Sequence, residues 1–182
     1  METGTDEAIA YHEAGHAIVA WVLGLHMTRC QMNDGDRENH DHIRWLGIVE
    51  IDTTRCSNEA MFLVAVAGIV AERKQTGEVN SSRNVKKSFN PSGRSDYAVA
   101  IRQLKKSFGG KMAKHAQFIK LYAVPLVTFL VDHHWELISA LAEHLMEVRH
   151  MDALEIDLFL RERQRRDLEQ LDFSPYFYSG KS

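Results

Sequence analysis

Residues Phe62 to Ala71 read FLVAVAGIVA, a run without a single charged or hydrogen-bonding side chain. Small and apolar residues extend the pattern to Asn58 and Lys74, which predicts a helix over 58–74. Ser57 or Asn58 can cap it, and Gly77 ends it. A helix that is apolar on nearly every face has no side to offer water, so it must lie in the middle of a domain with other elements around it. At 182 residues and 45% hydrophobic content, the chain is long enough for one globular domain with a real core.

The second constraint is local. His12-Glu13-Ala14-Gly15-His16 places two imidazoles four residues apart with a carboxylate next to the first. On a helix these histidines stand one turn apart on one face and can reach one ion. Glu13 then lies beside them, near enough to a metal-bound water to take its proton. The setting is helical from Asp6 to Leu25, with Ile9, Ala14, Ala17, Ile18, Trp21, Val22 and Leu25 as an apolar stripe. Thr5 is the expected N-cap, Asp6 and Glu7 suit the first turn of the helix dipole, and Gly24 weakens the far end. Gly15 costs helix stability, about 1 kcal/mol against alanine, and its gain is room for another segment close to the metal.

Along the rest of the chain, Met27–Met32 and Arg44–Asp52 read as strands that pair as a hairpin across a long loop containing the turn Asn33-Asp34-Gly35-Asp36. Residues 76–94 are rich in Ser, Asn, Gly and Lys and carry few apolar anchors. Ser95 caps a helix to about Phe108, stopped by Gly109-Gly110. Lys111–Ala123 is helical, with a bend or break at Pro125 and a long segment to about Arg149. Asp152 and Glu155 have capping-box spacing for a last helix reaching roughly Leu171. The tail 173–182 shows no regular pattern. The expected fold is mainly α, with a small β-hairpin or sheet beside the H-E-x-x-H helix.

Composition excludes several classes. A net charge of −3 gives no electrostatic footprint for nucleic acid. Cys30 and Cys56 have no CxxC spacing, so neither a disulfide framework nor a thiolate zinc site is implied, and a cytoplasmic location is the simplest expectation. The opening Met1-Glu2-Thr3-Gly4 is unlike a signal peptide. The apolar stretch Leu121–Val131 contains Pro125 and is too short to span a bilayer. Asn39-His40-Asp41-His42 reads as an exposed loop tip rather than a second metal site. His133 and His134 are adjacent on a predicted helix and face different ways. Arg161, Arg163, Arg165 and Arg166 alternate with Glu162, Asp167 and Glu169, as on a solvated helix with ion pairs. The apolar residues from Leu121 to Leu145 suit a core or a subunit interface, which leaves a homo-oligomer open.

A catalytic zinc takes three protein ligands and keeps one position for water. Val19 and Val22 stand where the extended metzincin motif would need glycine and histidine, so that pattern is absent. Glu59, Glu72 and Asp96 remain as candidate third ligands, and residue chemistry alone does not separate Glu72 from Asp96.

The segment Ala10-Tyr11-His12-Glu13-Ala14-Gly15-His16-Ala17 resembles the signature of the FtsH family, membrane-bound ATP-dependent zinc proteases. Further segments agree in order: Leu46-Gly47 in the strand after the zinc helix, Ala67-Gly68-Ile69-Val70-Ala71-Glu72, and Gly93-Arg94-Ser95-Asp96. Trp135-Glu136-Leu137-Ile138, Ala142-Glu143-His144-Leu145 and His150-Met151-Asp152 are similar to the family's C-terminal helical hairpin. The likeness covers most of residues 6–160. It implies an FtsH-like protease fold in which His12, His16 and Asp96 hold one Zn2+ and Glu13 is the general base. Tyr97 replaces the family's leucine after the aspartate, and the segment 80–91 is expanded. The ATPase module and membrane helices are absent, and no G-x-x-x-x-G-K-[ST] phosphate loop occurs.

The function that follows is an ATP-independent zinc metalloendopeptidase, acting on polypeptide in flexible or unfolded segments. The alternative is a catalytically silent FtsH-like metal-binding adaptor or regulator that binds protein partners. A complete His-Glu-His set argues for the enzyme, because a mere binder has no need of Glu13.

Overall fold

A computed structural model describes residues 6–32, 47–78, 96–109 and 112–163. The expectations for Thr5, the turn at 33–36, the loop tip at 39–42, most of segment 76–94, Ser95 and the tail after Arg163 lie outside these residues. Within them the protein is mainly helical with one small antiparallel sheet.

Helix α1, Asp6–Val22, ends one turn short of the apolar pattern because Gly24 takes a positive φ of 69° and turns the chain. Met27–Met32 forms β1 and Gly47–Ile51 forms β2. They pair antiparallel, Cys30 opposite Val49, as the expected hairpin. A register shift between Met27 and Arg29 explains why Met27, Cys30 and Met32 are all buried although strict alternation would turn Met27 outward. Asp52 then caps a single 3-10 turn, Thr53–Arg55.

Helix α2, Asn58–Gln75, is capped by Ser57, whose hydroxyl accepts from the Ala60 amide at 3.0 Å. Gly77 beyond its end has φ 73°, the left-handed conformation that favours glycine. As its composition demands, α2 is central: Phe62, Leu63, Val64, Val66, Ala67 and Val70 are all buried. It packs on α1 and on α3, Asp96–Phe108. The α1–α2 approach is very close. A Cβ on Gly15 would stand 2.6 Å from Ala71 Cβ and 2.8 Å from the Ala67 carbonyl oxygen. Gly15 thus lets the helices meet, which is the room expected of it.

The C-terminal half departs from expectation. After α4, Met112–Phe118, a π-helical turn covers Ile119–Ala123 and leads directly into α5, Val124–His133. Pro125 does not break the chain, because it falls at the start of α5. The Val124 amide has already reached back to the Ile119 carbonyl, and the wider π turn leaves room where a proline ring would collide in a regular helix. The break comes instead at His134, between α5 and α6, Trp135–Val148. Of the apolar residues in this half, Val124, Leu130, Leu137, Ile138, Leu141 and Leu145 are core, whereas Leu121 and Phe129 are exposed.

Arg149 adopts a positive φ of 63° and turns the chain into β3, His150–Asp152, which pairs antiparallel with β1 on the side away from β2. The last described helix, α7, covers Ala153–Arg163. Its capping box is complete. Asp152 Oδ1 accepts from the Leu154 and Glu155 amides, each at 2.9 Å, and Glu155 Oε2 accepts from the Asp152 amide at 2.8 Å. No described helix is long and apolar enough to cross a membrane.

Candidate metal centre

Helix α1 is enclosed by α2, α6 and the sheet, so its polar residues 12, 13 and 16 lie inside the fold. Glu13 and His16 are only 5% and 6% exposed. The His12 side chain is 19% exposed, and its ring meets that of His16 edge-on with centroids 4.6 Å apart. The four-residue spacing therefore brings the two imidazoles together, as helix geometry requires.

Each ring is held by the nitrogen that faces away from the shared space. His16 Nδ1 lies 2.7 Å from the Val64 carbonyl oxygen. That oxygen can only accept, so Nδ1 carries the hydrogen. His12 Nδ1 lies 2.9 Å from Glu72 Oε2, and the carboxylate selects the same tautomer. An imidazole whose Nδ1–H is given to a carbonyl or carboxylate is a ring fixed in angle and made more basic at Nε2, the usual preparation of a metal ligand.

The opposite ring edges face Gly68. A Cβ there would stand 2.5 Å from His16 Nε2, 2.7 Å from His16 Cε1 and 2.8 Å from His12 Cδ2. Val64, Gly68 and Glu72 recur every four residues on α2, so one face of that helix supplies two ring acceptors with a glycine between them. On the other side, a Cβ on Gly47 at the start of β2 would lie 2.5 Å from Glu13 Cγ and Oε1. The donor set, two imidazoles each anchored at Nδ1 with ring centroids 4.6 Å apart, fits two ligands of one zinc ion.

Glu72 sits on the Nδ1 edge of His12, away from Nε2, which suits a carboxylate that orients the ligand. Glu59 lies nine residues before Gly68, about 13 Å along the helix axis at 1.5 Å per residue, and is not brought to the site. Asp96 is the first residue of α3, a helix that packs along α2; its side chain lies outside the described residues. Among the described residues no set of three His, Cys, Asp or Glu side chains is gathered in metal-holding geometry.

Cys30 on β1 is fully buried. Burial, and then the charge of Glu13, push its thiol far above the ordinary range, which keeps it protonated and unreactive. His133 and His134 stand edge-on at 4.8 Å at the α5–α6 junction and share no ion-binding arrangement. Of the basic cluster, Arg161 pairs with Asp157 at 2.8 Å and Arg163 stacks over the Phe159 ring; Arg165 and Arg166 lie outside the described residues. Sequence reasoning missed the Val64 carbonyl and the two glycine contacts, and it entertained Glu72 as a ligand rather than as the partner of His12.

Comparison with protein-family models and with curated protein sequences gives no match to the chain.

Proposed function

We propose that this domain is a zinc metalloendopeptidase that hydrolyses peptide bonds in flexible or unfolded protein segments. His12, His16 and Asp96 are assigned as ligands of one Zn2+ and Glu13 as the general base, the roles implied by the resemblance to FtsH proteases. One observation carries the reading: both imidazoles have Nδ1 committed to an acceptor, and their other edges meet over Gly68 beside a buried Glu13. Two rings anchored at Nδ1 and turned toward each other beside a buried carboxylate are the arrangement that two ligands of one ion and a base require.

A zinc ion held there by His12, His16 and Asp96 would supply a Lewis acid for the scissile carbonyl and would bring the pKa of water down to about 7. Glu13 is the group that receives the proton of the attacking water and returns it to the leaving nitrogen. Burial fixes its carboxylate on the ligand side of α1, and the bare backbone of Gly47 lets it stay there. Val64 and Glu72 hold the two rings. Strand β2 lies at one edge of the sheet formed by the described residues and begins against Glu13. An extended substrate can add to that edge by main-chain hydrogen bonds, bringing a peptide carbonyl to the base. The 182 residues contain no phosphate-loop motif, so the proposal assigns this domain an ATP-independent activity on segments already extended.

Metal analysis of the purified protein, with cleavage of unfolded casein before and after chelation, tests the reading. One zinc per chain and chelator-sensitive cleavage are expected. Glu13→Gln should keep the zinc and lose at least about 100-fold in rate, the scale of general base catalysis. Full activity in that variant removes Glu13 from the mechanism. Zinc without cleavage in the wild type points to a binding adaptor, and no zinc at all overturns both.

A further inference from the structure

Gly68 and Gly47 are not demanded by the backbone. Neither has a positive φ, unlike Gly24, Gly77 and Gly109, so an L-residue could adopt either conformation. Gly68 also weakens the helix interior in which it stands. What forbids a side chain is the arm of Glu13 at Gly47 and the rings of His16 and His12 at Gly68, the motif residues themselves.

We propose that these two glycines are positioning residues that act through their missing side chains and divide the site between them. Gly68 lets the His12 and His16 rings pack against α2 in the orientation that two ligands of one ion need. Gly47 keeps the Glu13 carboxylate beside it. The inference rests on the zinc-peptidase reading and adds a separate determinant for each half of the chemistry.

The rings cannot yield to a methyl group at 68 without losing their anchors. His16 is tied to Val64 one turn before Gly68, and His12 to Glu72 one turn after it. A Cβ between them, 2.5 Å from His16 Nε2, forces one ring off its acceptor or fills the approach to the nitrogens. Loss of an orienting contact of this kind typically costs about 10–100-fold in metal affinity. At 47 the methyl would meet the whole arm of Glu13, with Cγ, Cδ and Oε1 all within 2.6 Å. Relief to ordinary contact moves the carboxylate by about 1 Å, a displacement worth about 100-fold in rate at a catalytic group. Gly15 differs from both, since its Cβ would strike the backbone of α2 and its role is helix packing.

The test compares wild type, Gly68→Ala and Gly47→Ala for zinc affinity by chelator competition, for melting of the metal-free protein, and for kcat and KM on a fluorogenic casein. Gly68→Ala should bind zinc at least about tenfold more weakly, and its metal-free form should melt below wild type by an amount that shrinks in a His16→Ala background, where the obstructed ring is gone. Gly47→Ala should keep wild-type zinc affinity and lose about 100-fold in kcat with KM little changed. Its melting temperature should fall when Glu13 is present and not in a Glu13→Ala background, where the obstructed arm is gone. Wild-type zinc affinity in Gly68→Ala, or a Gly47→Ala penalty independent of Glu13, would overturn the assignment. A wild type that binds zinc yet cleaves nothing defeats the peptidase reading alone, because the affinity and melting measurements still decide both glycines.

Discussion

Replacing Glu72 separates an orienting carboxylate from a metal ligand. Its Oε2 accepts from His12 Nδ1 at 2.9 Å, and its side chain is 45% exposed. Removing it with Glu72→Ala leaves water to take the Nδ1 hydrogen, so the metal-free protein should lose less than about 1 kcal/mol, as expected for a half-exposed pair. The cost falls on the metal. Outer contacts of this type are worth about 10–100-fold in affinity, or about 1.4–2.8 kcal/mol. Solvent exposure places this one at the lower end, near tenfold. Glu72→Gln keeps an acceptor oxygen without the charge and should recover part of that loss. Chelator competition at pH 7.5 measures all three proteins. A loss beyond about a thousandfold in both variants exceeds what an orienting contact contributes and would make Glu72 a direct ligand. Unchanged affinity in Glu72→Ala would show that His12 needs no help from the carboxylate. Either result refutes the assignment.

Asp96→Asn should weaken zinc binding by more than either Glu72 variant, measured by the same competition; unchanged affinity removes Asp96 from the ligand set. Burial at the α5–α6 junction, helped by neighbouring His133, lowers His134 to about 4 from 6.5. The unfolded chain therefore takes up a proton between pH 6.5 and 4 that the folded chain refuses, so stability present above pH 6.5 is lost as pH falls toward 4. The shift caps this at about 3 kcal/mol, nearer 2 for a group that keeps some hydration. His134→Asn should flatten urea-derived stability across that window, and equal slopes for both proteins would refute the cause. Asp152→Ala removes the acceptor of two amide hydrogen bonds at the start of α7. It should cost about 1 kcal/mol, or 2–4 °C in Tm for a domain of roughly this size; an unchanged Tm would show that the box contributes nothing.

The elements legible in the sequence are those whose signal is local. Met27–Met32 was readable as a strand with its final bounds. Ser57 and Gly77 mark α2, and Asp152 with Glu155 marks the start of α7, since a cap depends on residues within one turn. Strand β3 was not legible. Three residues carry no periodic signal, and they pair only because Arg149 turns the chain alongside β1. Nor was the π turn at Ile119–Ala123, which cancels the break that Pro125 announces. Reading Pro125 as the break and His134 as mid-helix follows from propensity alone, and the extra residue in the preceding turn overrides it.

The site divides along the same line. His12, Glu13 and His16 sit on one helix, so their spacing fixes their mutual geometry before anything else folds. Their supports come from the next α-helix, and those depend on which face of α2 meets α1. The answer lies in direction. His16 meets Val64 and Gly68, whereas His12 meets Gly68 and Glu72, so α1 and α2 run antiparallel. Both helices advance one turn, about 5.4 Å, in nearly four residues. A pair spaced by four on one helix therefore matches positions spaced by four on the other. Two histidines one turn apart find an acceptor at each end of an eight-residue interval and a glycine at its midpoint. The close approach at Gly15 sets the distance that makes all three contacts reachable at once. Widening that crossing would take Val64, Gly68 and Glu72 away from the rings together, which is why the most buried helix in the domain is also the one that shapes the metal centre.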